Sequence, residues 1–366
     1  KWYDEGASRC WGWEEYIHYY GNCTFDDEAT SAPTGFLLEL YLETLDPAYH
    51  EPLLKALDFI LDAQFPNGAW PQRYPVKNEF VHGGHPDYTG HYTFNDGVIP
   101  NNIFLLVKAW EKLGDERYLQ AARRGMDFYI ISQVANPQGG WADQYDHDMK
   151  PAWGRMFEPP AVASIVTIRC IRELESFYRI TGDRRYLRPI PDAIAWLERS
   201  AINDDPSKMF HLPYFGAPRP YTHAYYYEPG TNEPIYAHRS GTGLDDEKFR
   251  IDHDFTDMYP YGPPYVIDLD PIKRGFERVC ALSPGEARAE YESSKETARS
   301  PRSIDPAHVR EIIDALDPRG CWITEISVSD YLGDALNNPR TVMPGISIRV
   351  YIRNMKALTD YVRGLE

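Results

Sequence analysis

Cysteine is scarce in this 366-residue sequence, with five in all: Cys10, Cys23, Cys170, Cys280 and Cys321. None forms a CxxC pair, which argues against a zinc ribbon. The odd count leaves at least one thiol free if all bonds are intramolecular. Cys10 and Cys23 could close an N-terminal loop, and Cys170 sits in an apolar helical run as a core thiol would. No apolar run is long enough to span a bilayer, and no signal-peptide pattern opens the chain. Basic residues are outnumbered, 38 Lys and Arg against 55 Asp and Glu, for a net charge of -17. With no basic stripe, the charge argues against nucleic acid as a partner, and the lack of a spanning apolar run argues against a membrane. A boundary between two domains is also missing, so the chain reads as one domain over 1–366.

Aromatic residues are plentiful at 14%, and 27 of them are Tyr. Such side chains either stack on sugar rings or fill the core of a large helical protein. The pattern between them repeats. Leu45-Asp46-Pro47 opens a helix that runs to Gln64 and Pro66-Asn67-Gly68-Ala69-Trp70. Leu113-Gly114-Asp115 opens another that runs to Gln133 and Pro137-Gln138-Gly139-Gly140-Trp141. The two Gln are 69 residues apart and the two Trp 71. A third opening stands at Thr181-Gly182-Asp183. Gly ending one helix and Asp capping the next explains the short turns. Repeating helical hairpins of this length predict an all-α toroid whose long loops gather at one face.

After Ala201 the helical period stops. Tyr225-Tyr226-Tyr227, a Pro229-Gly230-Thr231-Asn232 turn and Pro234-Ile235-Tyr236 read as a β-hairpin. Ser283–Ser303 reads as a solvated helix or linker, and helices follow over Pro306–Leu316 and Ile346–Leu365.

Polar clusters stand where the long loops meet the helices. Asp26 and Asp96 each precede a helix, where Asp is usually a cap. Asn95 beside Asp96 also suits a hard cation such as calcium. Arg155 lies three residues from Glu158, and Arg239 follows the hairpin. A lone Arg is usually a surface ion-pair partner. Several acids with two Arg at loop ends suit an anionic sugar held through metal and guanidinium together.

These residues lie in motifs that resemble the pectate lyases of polysaccharide lyase family 10. The motifs, in order, are Pro66-Asn67-Gly68-Ala69-Trp70-Pro71-Gln72-Arg73-Tyr74-Pro75, Thr93-Phe94-Asn95-Asp96, Gln144-Tyr145-Asp146, Arg155-Met156-Phe157-Glu158-Pro159-Pro160 and Gly230-Thr231-Asn232-Glu233-Pro234-Ile235-Tyr236 with Arg239-Ser240-Gly241. The resemblance implies an (α/α)3 toroid, with 1–24 as an N-terminal segment, 25–241 as the family-like core and 242–366 as an extended C-terminal region packing on the toroid. It implies calcium-assisted anti β-elimination on a polygalacturonate-like acidic polysaccharide, by a monomer that is secreted or periplasmic. Arg155 takes the place of the Brønsted base, with Asp26 and Asp96 in the active centre. Asp96, Asp26 and Asp146 are the implied calcium ligands. Arg239, Asn95, Trp70, Tyr145, Glu158 and Tyr225 are the implied substrate contacts. Three positions depart from the family pattern: Asp27 stands for Asn, Tyr145 for His and Tyr225 for a second Arg.

Two rivals stay open. A toroid glycoside hydrolase would pair Asp96 with Asp146 or Glu158. A silent uronate-binding protein would stack sugar on Tyr and Trp without turnover. Ultraviolet absorbance of an unsaturated product separates the lyase from both.

Overall fold

The repeated turn seen in the sequence closes each helical hairpin in the computed structural model, which describes residues 22–77, 81–82, 85–155, 157–205, 207–211, 218–240, 248–258, 261–299, 304–328 and 341–365. Helix α1 (Ser31–Thr44) turns into α2 (Pro47–Asp62), α3 (Val98–Leu113) into α4 (Glu116–Ile131), and α5 (Ser164–Thr181) towards α6 (Ile190–Arg199). Leu45, Gly114 and Gly182 end the first members in the left-handed region, at φ 52°, 74° and 70°. The next residue then caps the helical segment beyond the turn: Asp46, Asp115 and Asp183 accept from Ala48, Arg117 and Arg185 N–H, each at 2.9 Å. Gly serves at two of these three ends because it takes positive φ without a Cβ clash.

The far ends of the hairpins are built alike too. Trp70 Nε1 donates to Ile60 O at 2.8 Å, and Trp141 Nε1 to Tyr129 O at 2.9 Å. Gln64 Nε2 bridges Gly68 O and Ala121 O, as Gln133 Nε2 bridges Gly139 O and Pro189 O. Each Gln thus ties its own Gly turn to the next hairpin. Gly68 at φ 98° is required there, because a Cβ would meet Arg124 O at 2.0 Å.

Short antiparallel strand pairs enter the inner helices in the same rhythm. β1 (Cys23–Thr24) pairs β2 (Arg73–Tyr74), and β3 (Tyr92–Thr93) pairs β4 (Gln144–Tyr145). β5 (Val162–Ala163) pairs β6 (Tyr226–Tyr227). β6 continues into β7 (Pro234–Ser240) in the register Tyr226↔Ile235, so the expected hairpin is present, and β7 pairs β8 (Lys248–Asp252). The core between the helices is apolar and aromatic, with Leu57, Ile60, Ile103, Phe128, Ile171 and Phe177 shut off from solvent. This helical ring with short strands at its loop face is the all-α toroid expected from the repeat.

The chain divides into two compact units, 1–288 and 289–366, where the sequence shows no boundary. Helix α7 (Leu269–Ala281) belongs to the first, and α8 (Pro284–Arg299) crosses the division. The second unit holds α9 (Pro306–Asp314), the antiparallel strands β9 (Ile323–Val328) and β10 (Thr341–Ile346), and α10 (Ile348–Arg363). It carries its own version of the hairpin ending: Asp305 caps α9 through Ala307 N–H at 2.9 Å, and Trp322 Nε1 donates to Ile312 O at 2.7 Å. Among the described residues no helix is long and apolar enough to cross a membrane. Cys23 and Cys170 are free thiols, Cys170 buried as expected, and Cys10 lies outside the described residues.

Candidate active site

Two matching turns build the acidic part of the site. Phe25-Asp26-Asp27-Glu28 precedes α1, and Phe94-Asn95-Asp96-Gly97 precedes α3. The two Phe are 69 residues apart, the same interval that separates the repeated Gln. Phe25 N–H donates to Gln72 O and Phe94 N–H to Asp143 O, both at 2.8 Å. Register within the repeat therefore sets Asp27 against Asp96, and both take positive φ, 49° and 51°. That conformation costs a non-glycine residue roughly 1–2 kcal/mol, a strain that gathers at functional sites.

Capping does not explain these acids. Neither turn has a side-chain cap bond, whereas Asp46, Asp115, Asp183, Asp268 and Asp305 all cap through their carboxylates. Instead Asp26, Asp27 and Asp96 each point an oxygen into one cluster, with those atoms all within 4.8 Å of one another. Asp26 Oδ2 accepts from Gln72 Nε2 at 3.3 Å. Its Oδ1 is buried and accepts no hydrogen bond. Burial pushes the Asp96 carboxyl up to about 7, helped by Asp26 and Asp27, while Arg155 pulls it down. Asp26 is raised as well, first by burial. Hard oxygens crowded together, with a buried Asp26 oxygen that accepts no hydrogen bond, fit a divalent cation such as calcium.

Arg155 is the counter-charge. Its Nη2 donates to Glu158 Oε1 at 2.6 Å and to Tyr261 Oη at 3.0 Å, and its backbone N–H donates to Glu158 Oε2 at 2.7 Å. The guanidinium lies over the rings of Phe157 and Tyr261, 5.0 and 5.1 Å from their centroids. Burial works against its charge, but the Glu158 carboxylate outweighs burial and raises its pKa. Asn95 Nδ2 reaches Glu158 Oε1 at 3.5 Å, a long contact that joins the Arg155 clamp to the turn of Asp96.

Asp143 stands behind both. Its carbonyl oxygen accepts from Phe94 and Asn95 N–H at 2.8 and 3.0 Å, which fixes the Asp96 turn. Tyr226 Oη donates to its carboxyl at 2.6 Å and Tyr225 Oη at 3.4 Å. Burial carries the Asp143 carboxyl up to about 7, against those hydrogen bonds.

The structure brings Asp26, Asp96, Asn95, Arg155 and Glu158 together, but not every expected residue. Trp70 is buried completely and spends its Nε1 on Ile60, so it closes a hairpin rather than meeting sugar. Tyr145 is 1% exposed and its hydroxyl accepts from Ala142 N–H, so it too belongs to the core. Asp146 Oδ1 accepts from Asp148 and Lys150 N–H at 2.9 Å, tying a loop outside the carboxylate trio. Tyr225 is 8% exposed and packs on Tyr226 and Tyr265, facing Asp143. Arg239 lies in β7, and its side chain lies outside the described residues. Two contributors escape sequence reading. Asp27 was legible only through the 69-residue register. Tyr261 comes from a stretch without period, 106 residues beyond Arg155.

Comparison with known proteins places the chain in a family. A family model described as pectic acid lyase matches residues 11–262. A family 10 polysaccharide lyase from Cellvibrio cellulosa is 19% identical and superposes with a TM-score of 0.51, covering 75% of this chain and 81% of that one. A mutant of that lyase in complex with trigalacturonic acid matches at the same identity and TM-score, covering 75% and 82%. No curated protein sequence matches the chain.

Proposed function

Since the chain belongs to the pectic acid lyase family, and is a polysaccharide lyase, we propose that it cleaves α-1,4-linked polygalacturonate by calcium-assisted anti β-elimination, outside the cytoplasm. The observation that carries this reading is the carboxylate trio set beside one clamped guanidinium. The structural neighbour that holds trigalacturonic acid supports an acidic polymer as substrate.

The C5 proton of a galacturonate lies α to a carboxylate, and that negative charge opposes its removal. Asp26, Asp27 and Asp96 would hold calcium, which when bound supplies positive charge to neutralise the uronate carboxylate. The Arg155 guanidine group is pre-oriented by Glu158, Tyr261 and Phe157, so its placement needs no reorganisation as charge develops. A guanidinium also pairs with a planar carboxylate through two parallel hydrogen bonds. The base role implied for Arg155 requires it to give up a proton that Glu158 stabilises. In that role the neutral Arg155 takes the C5 proton, the C5–H electron pair forms the C4–C5 double bond as the C4–O bond breaks, and the departing oxygen takes a proton from water.

The test is an ultraviolet elimination assay on polygalacturonate, with and without chelator, for the wild type and Arg155→Lys. We expect an unsaturated product that chelator abolishes, and near-complete loss in a folded Arg155→Lys. A reducing-end increase without unsaturated product would instead indicate a hydrolase.

A further inference from the structure

Tyr261 lies outside every motif of the site, yet it meets the guanidinium with both its ring and its hydroxyl, and that hydroxyl also hydrogen-bonds Glu158. Its ring covers Arg155 at 5.1 Å, and its hydroxyl takes an Nη2 hydrogen bond at 3.0 Å. The Phe157 ring packs on it at 4.7 Å between centroids. The backbone behind it is fixed as well. Gly262 comes next at φ 67°, and a Cβ there would sit 3.0 Å from the Tyr226 ring, so the chain presses directly onto that shelf. Tyr226 in turn holds Asp143 at 2.6 Å. The Tyr261 phenol is kept un-ionised, first by burial and then by the Glu158 carboxylate.

We infer that Tyr261 is a positioning residue for Arg155. Glu158 anchors the guanidinium by charge at Nη2. The Tyr261 ring and the Phe157 ring fix the plane, and the Tyr261 hydroxyl fixes the rotation within it. Small errors in the placement of a charged group cost much of its transition-state effect. This inference rests on the lyase reading for its kinetic consequence, but the contact itself can be tested without turnover.

The experiment compares wild type, Tyr261→Phe and Tyr261→Ala. Tyr261→Phe keeps the ring and removes only the hydroxyl. We expect its kcat on calcium polygalacturonate to fall at least about tenfold, because the hydroxyl's hydrogen bonds to Arg155 and to Glu158 are both lost. Its KM and melting temperature should stay near those of the wild type. Tyr261→Ala should lose more in kcat. In parallel, labelling by phenylglyoxal, mapped by mass spectrometry, should modify Arg155 faster in Tyr261→Phe than in wild type. An unchanged kcat in Tyr261→Phe overturns the assignment, as does a fall in kcat matched by a fall in melting temperature. If the wild type yields no unsaturated product from any uronate polymer, the lyase reading fails. The labelling result then decides the Tyr261 assignment alone, and equal labelling rates overturn it.

Discussion

Replacing Glu158 by Gln tests the clamp where the most interactions converge. The Glu158 side chain is 3% exposed, and that of Arg155 is 23% exposed. Glu158 accepts from Arg155 N–H through one oxygen, from Arg155 Nη2 and Asn95 Nδ2 through the other, and from the Tyr261 hydroxyl. Gln has the same shape but one acceptor oxygen, so its amide nitrogen must face a donor on one side. Breaking a buried ion pair costs roughly 3–5 kcal/mol, because the surviving charge is left uncompensated. Partial exposure of Arg155 and the retained oxygen bring the expectation down to about 2–3 kcal/mol. In a unit of this size that is a fall in melting temperature of roughly 3–5 °C. Circular dichroism melts at fixed pH and low salt would read it, with Glu51→Gln as control. Glu51 pairs with Lys55 at 2.8 Å, but both side chains are about three-quarters exposed. Such a pair contributes at most about 1 kcal/mol. Equal melting temperatures for Glu158→Gln and wild type would refute the clamp as an energetic feature of the fold.

Further outcomes are expected. Calcium should raise the melting temperature of the wild type by mass action, and Asp96→Ala should abolish that rise while Asp146→Ala leaves it intact. A calcium shift that survives Asp96→Ala would remove Asp96 from the ligand set. Away from the site, Glu173 receives the Tyr129 hydroxyl at 2.7 Å, and burial moves its pKa from 4.5 to about 7. A folded-state pKa above the unfolded one means the fold binds the proton more tightly, so stability declines as pH rises from about 4.5 through about 7. Glu173→Gln should therefore gain on the wild type across that window, by at most about 3 kcal/mol, measured by urea unfolding at pH 5 and pH 8. A constant difference between the two pH values would contradict the shift.

Much of the fold was legible because it repeats. The Gly114-Asp115 and Gly182-Asp183 turns satisfy both a left-handed helix end and the cap of the next segment, and those residue types signal themselves. The hairpin of β6 and β7 was legible from its Pro-Gly-Thr-Asn turn between aromatic runs. β8, β9 and β10 were not. The strand Lys248–Asp252 lies in an acidic stretch without alternation, and Thr341–Ile346 contains both Pro344 and Gly345, which read as strand breakers. Only pairing partners along the ladder, such as Ile326 opposite Met343, settle a strand of that composition.

The site was half legible for a related reason. Residue type identifies a charged group, but burial decides what the group does. Trp70 and Tyr145 sit in motifs that look like sugar platforms, yet their polar atoms are already bound inside the protein. Asp146 and Asp96 look alike in sequence, yet one ties a loop and the other faces two more acids. Asp27 is the opposite case. It departs from the family pattern and so reads as a loss, while the 69-residue repeat aligns it with Asp96 and gives it the same backbone conformation. The consequence for an acidic chain is direct. Three carboxylates face Arg155, which already serves Glu158, and Arg73, whose charge reaches Asp26, so this corner is rich in acid. On the proposed calcium-assisted reading, a polyanion meets repulsion here until a divalent cation is in place, so we expect polygalacturonate to retard the protein in a native gel with calcium and not with chelator.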